Sequence, residues 1–193
     1  MNKDKLPFMA TVIGHLIFQG FMVYQGVEAA LKNSEVSEFT EKNRLLLIIS
    51  SIALMLTLIL ANLGIKSKFI LFTAVSLITG LLYHRVRDLR EALLEAVAIF
   101  ISMIIAGFIS VQLGLNLRTM GTVLFFALLA LLIARLFRPG DKNLTKIGIL
   151  IFGLFVLYDT NQILQRNYNG DFIDASVDYF TDIINLLAFS SEE

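Results

Sequence analysis

The 193-residue chain has no cysteine, no tryptophan, two histidines and little charge, with Asp, Glu, Lys and Arg together at 17%. The lack of cysteine excludes disulfides, thiolate zinc sites and cysteine nucleophiles, and leaves the redox compartment unreadable. Without tryptophan, an aromatic belt at a membrane surface has only Tyr and Phe to draw on. A soluble domain carries about 25% charged residues, so the low value argues against a soluble enzyme. Sixteen basic and sixteen acidic residues cancel, which removes the basic field that a nucleic-acid partner would require. The sequence also lacks a P-loop, a His-rich metal motif and a serine elbow.

What the chain does have is apolar length. Hydrophobic residues make up 56%, and mean hydropathy is +0.75. Seven segments stand out: Pro7–Leu31, Leu45–Leu63, Phe69–His84, Ala92–Gly114, Thr119–Phe137, Ile147–Leu164 and Phe172–Phe189. A spanning helix needs roughly 20 apolar residues to cross about 30 Å of hydrocarbon. The segments lack the period-2 alternation of barrel strands, so helices are predicted. The connections are short and rich in turn residues, as in Arg138-Pro139-Gly140-Asp141 and Asn169-Gly170-Asp171; only Lys32–Arg44 is longer. No linker or internal repeat divides the chain, so residues 1–193 read as a single transmembrane domain. The first apolar run is too long and too polar for a signal peptide. Ten of the 16 basic residues fall in the odd-numbered loops, which the positive-inside rule places in the cytoplasm. Glycosylation at Asn143-Leu144-Thr145 would contradict that orientation.

The informative region is the last two segments. Leu157-Tyr158-Asp159-Thr160-Asn161-Gln162 interrupts the sixth, and a carboxylate at the centre of a spanning helix costs about 2.5–3.5 kcal/mol. The seventh carries Asp171, Asp174, Asp178 and Asp182 at spacings of 3, 4 and 4, which align on one helix face. Asp171 and Asp174 suit a solvated turn and helix N-cap. For Asp159 and Asp182 the bland alternative is a structural hydrogen bond to Tyr158, Asn161 or Asn185. Two facing carboxylates in a low dielectric share a proton or take a hard cation such as Ca²⁺ between them, and competition between the two makes a pH-sensitive gate. Hairpin symmetry about the turn opposes Asp159 to Asp178, whereas pairing with Asp182 needs a slide of roughly 6 Å.

Gly153-Leu154-Phe155-Val156-Leu157-Tyr158-Asp159-Thr160, Asp171-Phe172-Ile173 and Asp178-Tyr179-Phe180-Thr181-Asp182-Ile183-Ile184-Asn185-Leu186 resemble the Bax inhibitor-1 family, the transmembrane BAX inhibitor motif proteins. The Tyr-Asp-Thr and Asp-Ile-Ile-Asn steps are specific together, and the strong likeness covers about Ile147–Phe189. The resemblance implies an all-α integral membrane protein, a seven-helix bundle with the last helix central. It implies a pH-dependent calcium leak and, in eukaryotes, suppression of cell death. It maps the family's paired acids onto Asp159 and Asp182, as ion-binding and pH-sensing groups and as tentative calcium ligands, with Asp178 next in line. Glu95 and Asn185 are secondary candidates. Two features depart from the family: the second span has no Lys or Arg, and the chain ends Ser190-Ser191-Glu192-Glu193 where a basic tail is expected.

The expected partners are the lipid bilayer, calcium or protons, and other membrane proteins. The expected location is an intracellular membrane such as the endoplasmic reticulum or Golgi, or a bacterial inner membrane. No enzyme activity and no cofactor beyond the calcium ion are expected. An intramembrane aspartyl protease also pairs two Asp on adjacent helices, but its Gly-x-Gly-Asp motif is replaced here by Phe180-Thr181-Asp182. The alternative is a non-conducting interaction or structural protein that regulates cell death or a protease. Elsewhere, His15 and Gln19 fit an interhelical hydrogen bond, Glu28 and His84 fit the membrane interface, and Arg135 is expected to reach the headgroups.

Overall fold

A computed structural model describes residues 5–86, 88–165 and 170–192. Lys3, Arg87, Arg166 and Asn169, which entered the loop and charge readings above, lie outside the described residues. The described residues form eight helices and no strand: α1 (Lys5–Lys32), α2 (Ser34–Lys42), α3 (Arg44–Leu60), α4 (Ile65–Tyr83), α5 (Leu89–Gln112), α6 (Arg118–Phe137), α7 (Lys142–Gln165) and α8 (Phe172–Ser190).

Five of these, α1, α4, α5, α6 and α7, are long and apolar enough to cross a membrane. At 17 residues, α3 measures about 25 Å and falls short of the hydrocarbon thickness. It meets α2 at a bend of 78°, the geometry of a broken span or a re-entrant loop. The last helix, α8, carries Asp174, Asp178 and Asp182 within its length, which sets it apart from the five.

Two sequence expectations change. The long Lys32–Arg44 loop holds a helix, α2, because Asn33 caps it with its side-chain oxygen to Glu35 N–H at 2.9 Å, satisfying donors that helix formation orphans. The third span begins at Ile65 rather than Phe69, so Lys68 leaves the Asn62–Lys68 loop for the first turn of α4. The buried positions Lys68, Phe72, Val75, Ser76, Thr79 and Gly80 recur at three- and four-residue steps along one stripe, with Lys68 at its head.

The chain divides into two compact units. One comprises Met1–Met9, Arg87–Gly170 and Asp178–Glu193; the other comprises Ala10–Val86 and Asp171–Val177. In the first, small residues let neighbours close in: Gly107 of α5 seats the Thr160 side chain of α7, Gly121 of α6 seats the Tyr158 ring, and Gly148 of α7 seats the Phe189 ring of α8. In the second, α1 and α4 touch backbone to backbone where Gly26 faces Gly80. There His84, buried at the end of α4, bonds the Leu81 carbonyl at 2.6 Å and Ser37 of α2 at 3.4 Å. It thus packs the end of α4 against α2. Large apolar side chains stay exposed on the outer helix faces, among them Ile49, Ile52 and Leu60 of α3 and Val123, Phe126 and Leu136 of α6. Exposed apolar surface on that scale needs lipid as its solvent.

A methyl group on Gly80 would meet the backbone of Val23, whereas Gly20 has open space around it. Gly80→Ala is expected to destabilise the protein by about 1–3 kcal/mol through overpacking. Gly20→Ala is expected to leave stability unchanged or raise it by up to ~1 kcal/mol through helix propensity. Thermal unfolding of the two variants in detergent checks the contrast.

Candidate functional site

The polar stretch of α7 that stood out in the sequence sends each side chain to a different neighbour. The Thr160 hydroxyl is 2.7 Å from that of Tyr179 on α8 and donates to the Val156 carbonyl at 2.8 Å, which leaves the Tyr179 hydroxyl as the donor between the two. Tyr179 is fully buried and meets the Phe100 ring of α5 edge-on at 5.3 Å. Asn161 reaches the other way: its amide donates to Ser110 Oγ at 2.8 Å and to the Leu115 carbonyl at 3.0 Å. Gln165 donates to the same carbonyl at 2.7 Å. Asn161 therefore fastens α7 to the end of α5 and the turn that follows, and its hydrogen-bonding capacity is spent there.

Between those two fastenings, the Asp182 carboxyl interacts with the Asp159 carboxyl and with that of Asp178 one turn earlier. Asp182 is 5% exposed, and its Oδ2 has no hydrogen-bond partner. Asp159 and Asp178 are half-buried. Hairpin counting favoured Asp178 opposite Asp159, and the family resemblance favoured Asp182; the Tyr179–Thr160 bond sets a register midway between the two. Asp182 also lines a groove of about 300 Å³ with Thr181, Asn185, Leu128, Phe152 and Phe155. Asn185 shares this groove while donating to the Thr181 carbonyl at 2.8 Å. Glu95 is half-buried on α5. Among the described residues, no group of three or more His, Cys, Asp or Glu could hold a metal ion.

The first two acids of the stripe have a different counterpart. Asp171 caps α8 through its Oδ1, which accepts from Ile173 N–H at 3.0 Å and Asp174 N–H at 3.2 Å. Its Oδ2 accepts from Lys68 Nζ at 2.7 Å, and Asp174 Oδ1 accepts from the same ammonium at 2.5 Å. The lysine side chain is 10% exposed. Burial by itself would push the Asp171 carboxyl up, but the Lys68 ammonium and the two backbone N–H groups outweigh it and hold the group below its ordinary range. The N-cap reading of Asp171 was legible; its lysine was not, because a loop assignment hid it.

In the same unit a buried polar chain links α1 to α4. Ser76 donates to Gln19 Oε1 at 2.8 Å, which turns the Gln19 amide nitrogen toward His15 Nε2 at 3.0 Å. That direction makes Nε2 the acceptor and places the imidazole proton on Nδ1, which has no partner. Phe69, Phe72 and Phe172 surround the ring at centroid distances of 5.2–5.5 Å. The interhelical bond expected here runs from Gln19, with His15 as its neighbour on α1.

Lipid-exposed helices packed through small residues define a polytopic helical membrane protein, here with acidic side chains meeting between α7 and α8. Residues 6–189 match the family described as inhibitor of apoptosis-promoting Bax1, the Bax inhibitor-1 family, and the chain belongs to it. A curated relative, Protein LIFEGUARD 1 of Arabidopsis thaliana, is 31% identical over 105 residues, covering 51% of this chain and 44% of the plant protein. The match thus spans less than half the length of that relative.

The ionised form of Asp171 stabilises the fold at neutral pH, and that contribution fades as pH falls below the ordinary carboxylate range. Lys68→Met is expected to cost about 1–3 kcal/mol, less than a fully buried pair because Asp174 is half-exposed. Unfolding midpoints measured from pH 7 down to pH 3 should show the wild type and Asp171→Asn converging in acid.

Proposed function

We propose that this chain is a seven-span membrane protein of the cell-death-regulating type that passes Ca²⁺, with Asp159 and Asp182 as a pH-sensitive gate. The observation that carries this reading is the approach of their carboxyl groups inside the α7–α8 pair. Two such groups hydrogen-bond only while one of them holds a proton. When that proton leaves, two negative charges face each other in a low dielectric; they repel, or a cation neutralises them. Ca²⁺ is suited to carboxylate oxygens, and the unpartnered Oδ2 of Asp182 is such an oxygen. The groove lined by Asp182 and Asn185 provides an approach. The ion is cargo here, held in passing by a pair rather than by a closed cage. In this reading α8 is the seventh crossing and the broken α2–α3 pair another, the acids of α8 being tolerated because protons, Lys68 and neighbouring helices satisfy them.

A non-conducting reading also has support. The family description names an apoptosis-promoting target, and the Tyr179–Thr160 bond clamps α7 to α8 beside the acids. A protein that acts by contact with another membrane protein would use the pair only as a lock.

Flux measurements in Ca²⁺-loaded liposomes separate the two. The gate reading expects wild-type flux to fall on acidification, by up to about tenfold per pH unit across the titration. Asp159→Asn and Asp182→Asn should flatten that profile to less than about twofold, with a smaller effect for Asp178→Asn. An unchanged profile in Asp182→Asn overturns the gate, and a wild type silent at every pH supports the non-conducting reading.

A further inference from the structure

The turn Arg138–Asp141 joins α6 to α7, two helices of membrane-spanning length, so the last turn of α6 and the first of α7 lie where hydrocarbon meets headgroups. Gly140 shapes this turn with a left-handed φ of 77°, a conformation that costs a residue without a side chain little. A groove of about 650 Å³ opens there, lined by Leu132, Arg135, Leu136, Gly140, Thr145 and Glu192.

Its polar end is assembled from three helices. The Arg135 guanidinium lies 4.4 Å from the centroid of the Phe189 ring on α8, which holds its plane in place. It donates to Glu192 Oε2, and the Thr145 hydroxyl of α7 donates to the same oxygen at 3.3 Å. Two donors from two helices therefore converge on one anionic oxygen. Its apolar end is made by Leu132 and Leu136, 52% and 81% exposed, one turn apart and on the same face of α6 as Arg135. Arg135, Arg138, Lys142 and Lys146 fall within 12 residues. Against them stand Asp141, whose carboxylate is used in capping Asn143 N–H at 2.8 Å, and Glu192.

We propose that this groove binds an anionic phospholipid, with the headgroup phosphate in the position of the Glu192 carboxylate and an acyl chain along Leu132 and Leu136. Arginine takes phosphate and carboxylate oxygens by the same charge-assisted bonds. Among the described residues of this turn and chain end the basic excess of two favours an anionic lipid over a zwitterionic one. Glu192 lies just beyond the last turn of α8, with 43% of its side chain exposed, and leaves without unravelling the helix. It acts as a built-in competitor, which gives the proposal a sign that a structural salt bridge does not share. This inference does not depend on ion conduction.

The test is native mass spectrometry of the full chain in detergent, with phosphatidylglycerol or phosphatidylcholine added. Wild type should retain phosphatidylglycerol about fivefold better, the effect of roughly one basic group at an anionic surface. Arg135→Ala should abolish the preference, and Glu192→Gln should strengthen it. Equal retention of the two lipids by wild type overturns the proposal, as does weaker retention by Glu192→Gln. Displacement of the lipid by inorganic phosphate overturns the lipid as ligand in favour of a free anion. Should Arg135→Ala fail to fold, the exposed Glu192→Gln variant decides the outcome alone.

Discussion

Two carboxyl groups that meet across adjacent helices need a positive particle between them to stay together. In water, each carboxylate finds its own hydration and neither needs the other. Between α7 and α8, Asp182 is buried with one oxygen unpartnered, and its other interactions come from Asp159 and Asp178. A proton shared by the pair supplies the missing charge and the missing donor together. The surrounding contacts serve that arrangement. The Thr160–Tyr179 bond joins α7 to α8 beside the acids, and Gly107 lets α5 approach closely enough to cover Thr160.

The fold was legible where composition and chain length decide it. Five long apolar helices follow from seven apolar segments, and the Arg138–Asp141 turn follows from Pro139-Gly140. What the sequence hid was governed by a neighbour. Lys68 read as the end of a loop because a charge before an apolar run marks a boundary; it is inside α4 because Asp171 and Asp174 meet its ammonium. The short helix α2 was missed because its apolar content is low, while its Asn33 cap is visible in hindsight.

The acid pair shows the same division. That α7 and α8 carry unexpected carboxylates was plain from Asp159 and the acidic stripe. Which acid meets which was not, since the hairpin count centres on a turn whose length a single residue shifts. A local hydrogen bond between Tyr179 and Thr160 ties the two helices together there, and no periodicity encodes it. The adjacent Asn161 looked like a candidate partner for Asp159, yet its amide is consumed by Ser110 and Leu115.

One helix stripe therefore meets the cost of buried negative charge in two ways. At Asp171 and Asp174 the compensation is a fixed ammonium, bound covalently to α4, which both carboxylates share and which balances one of their two negative charges. In the proposed gate, compensation at Asp182 comes from a proton or mobile cation shared with a second acid, so neutrality there depends on the surroundings. A fixed counterion holds α8 in place as long as the acids stay ionised, whereas an exchangeable one would couple the helix to pH and to ions. Evenly spaced aspartates along a single helix can thus anchor it at one end and leave it responsive farther along, with the difference residing in the partner rather than in the acid.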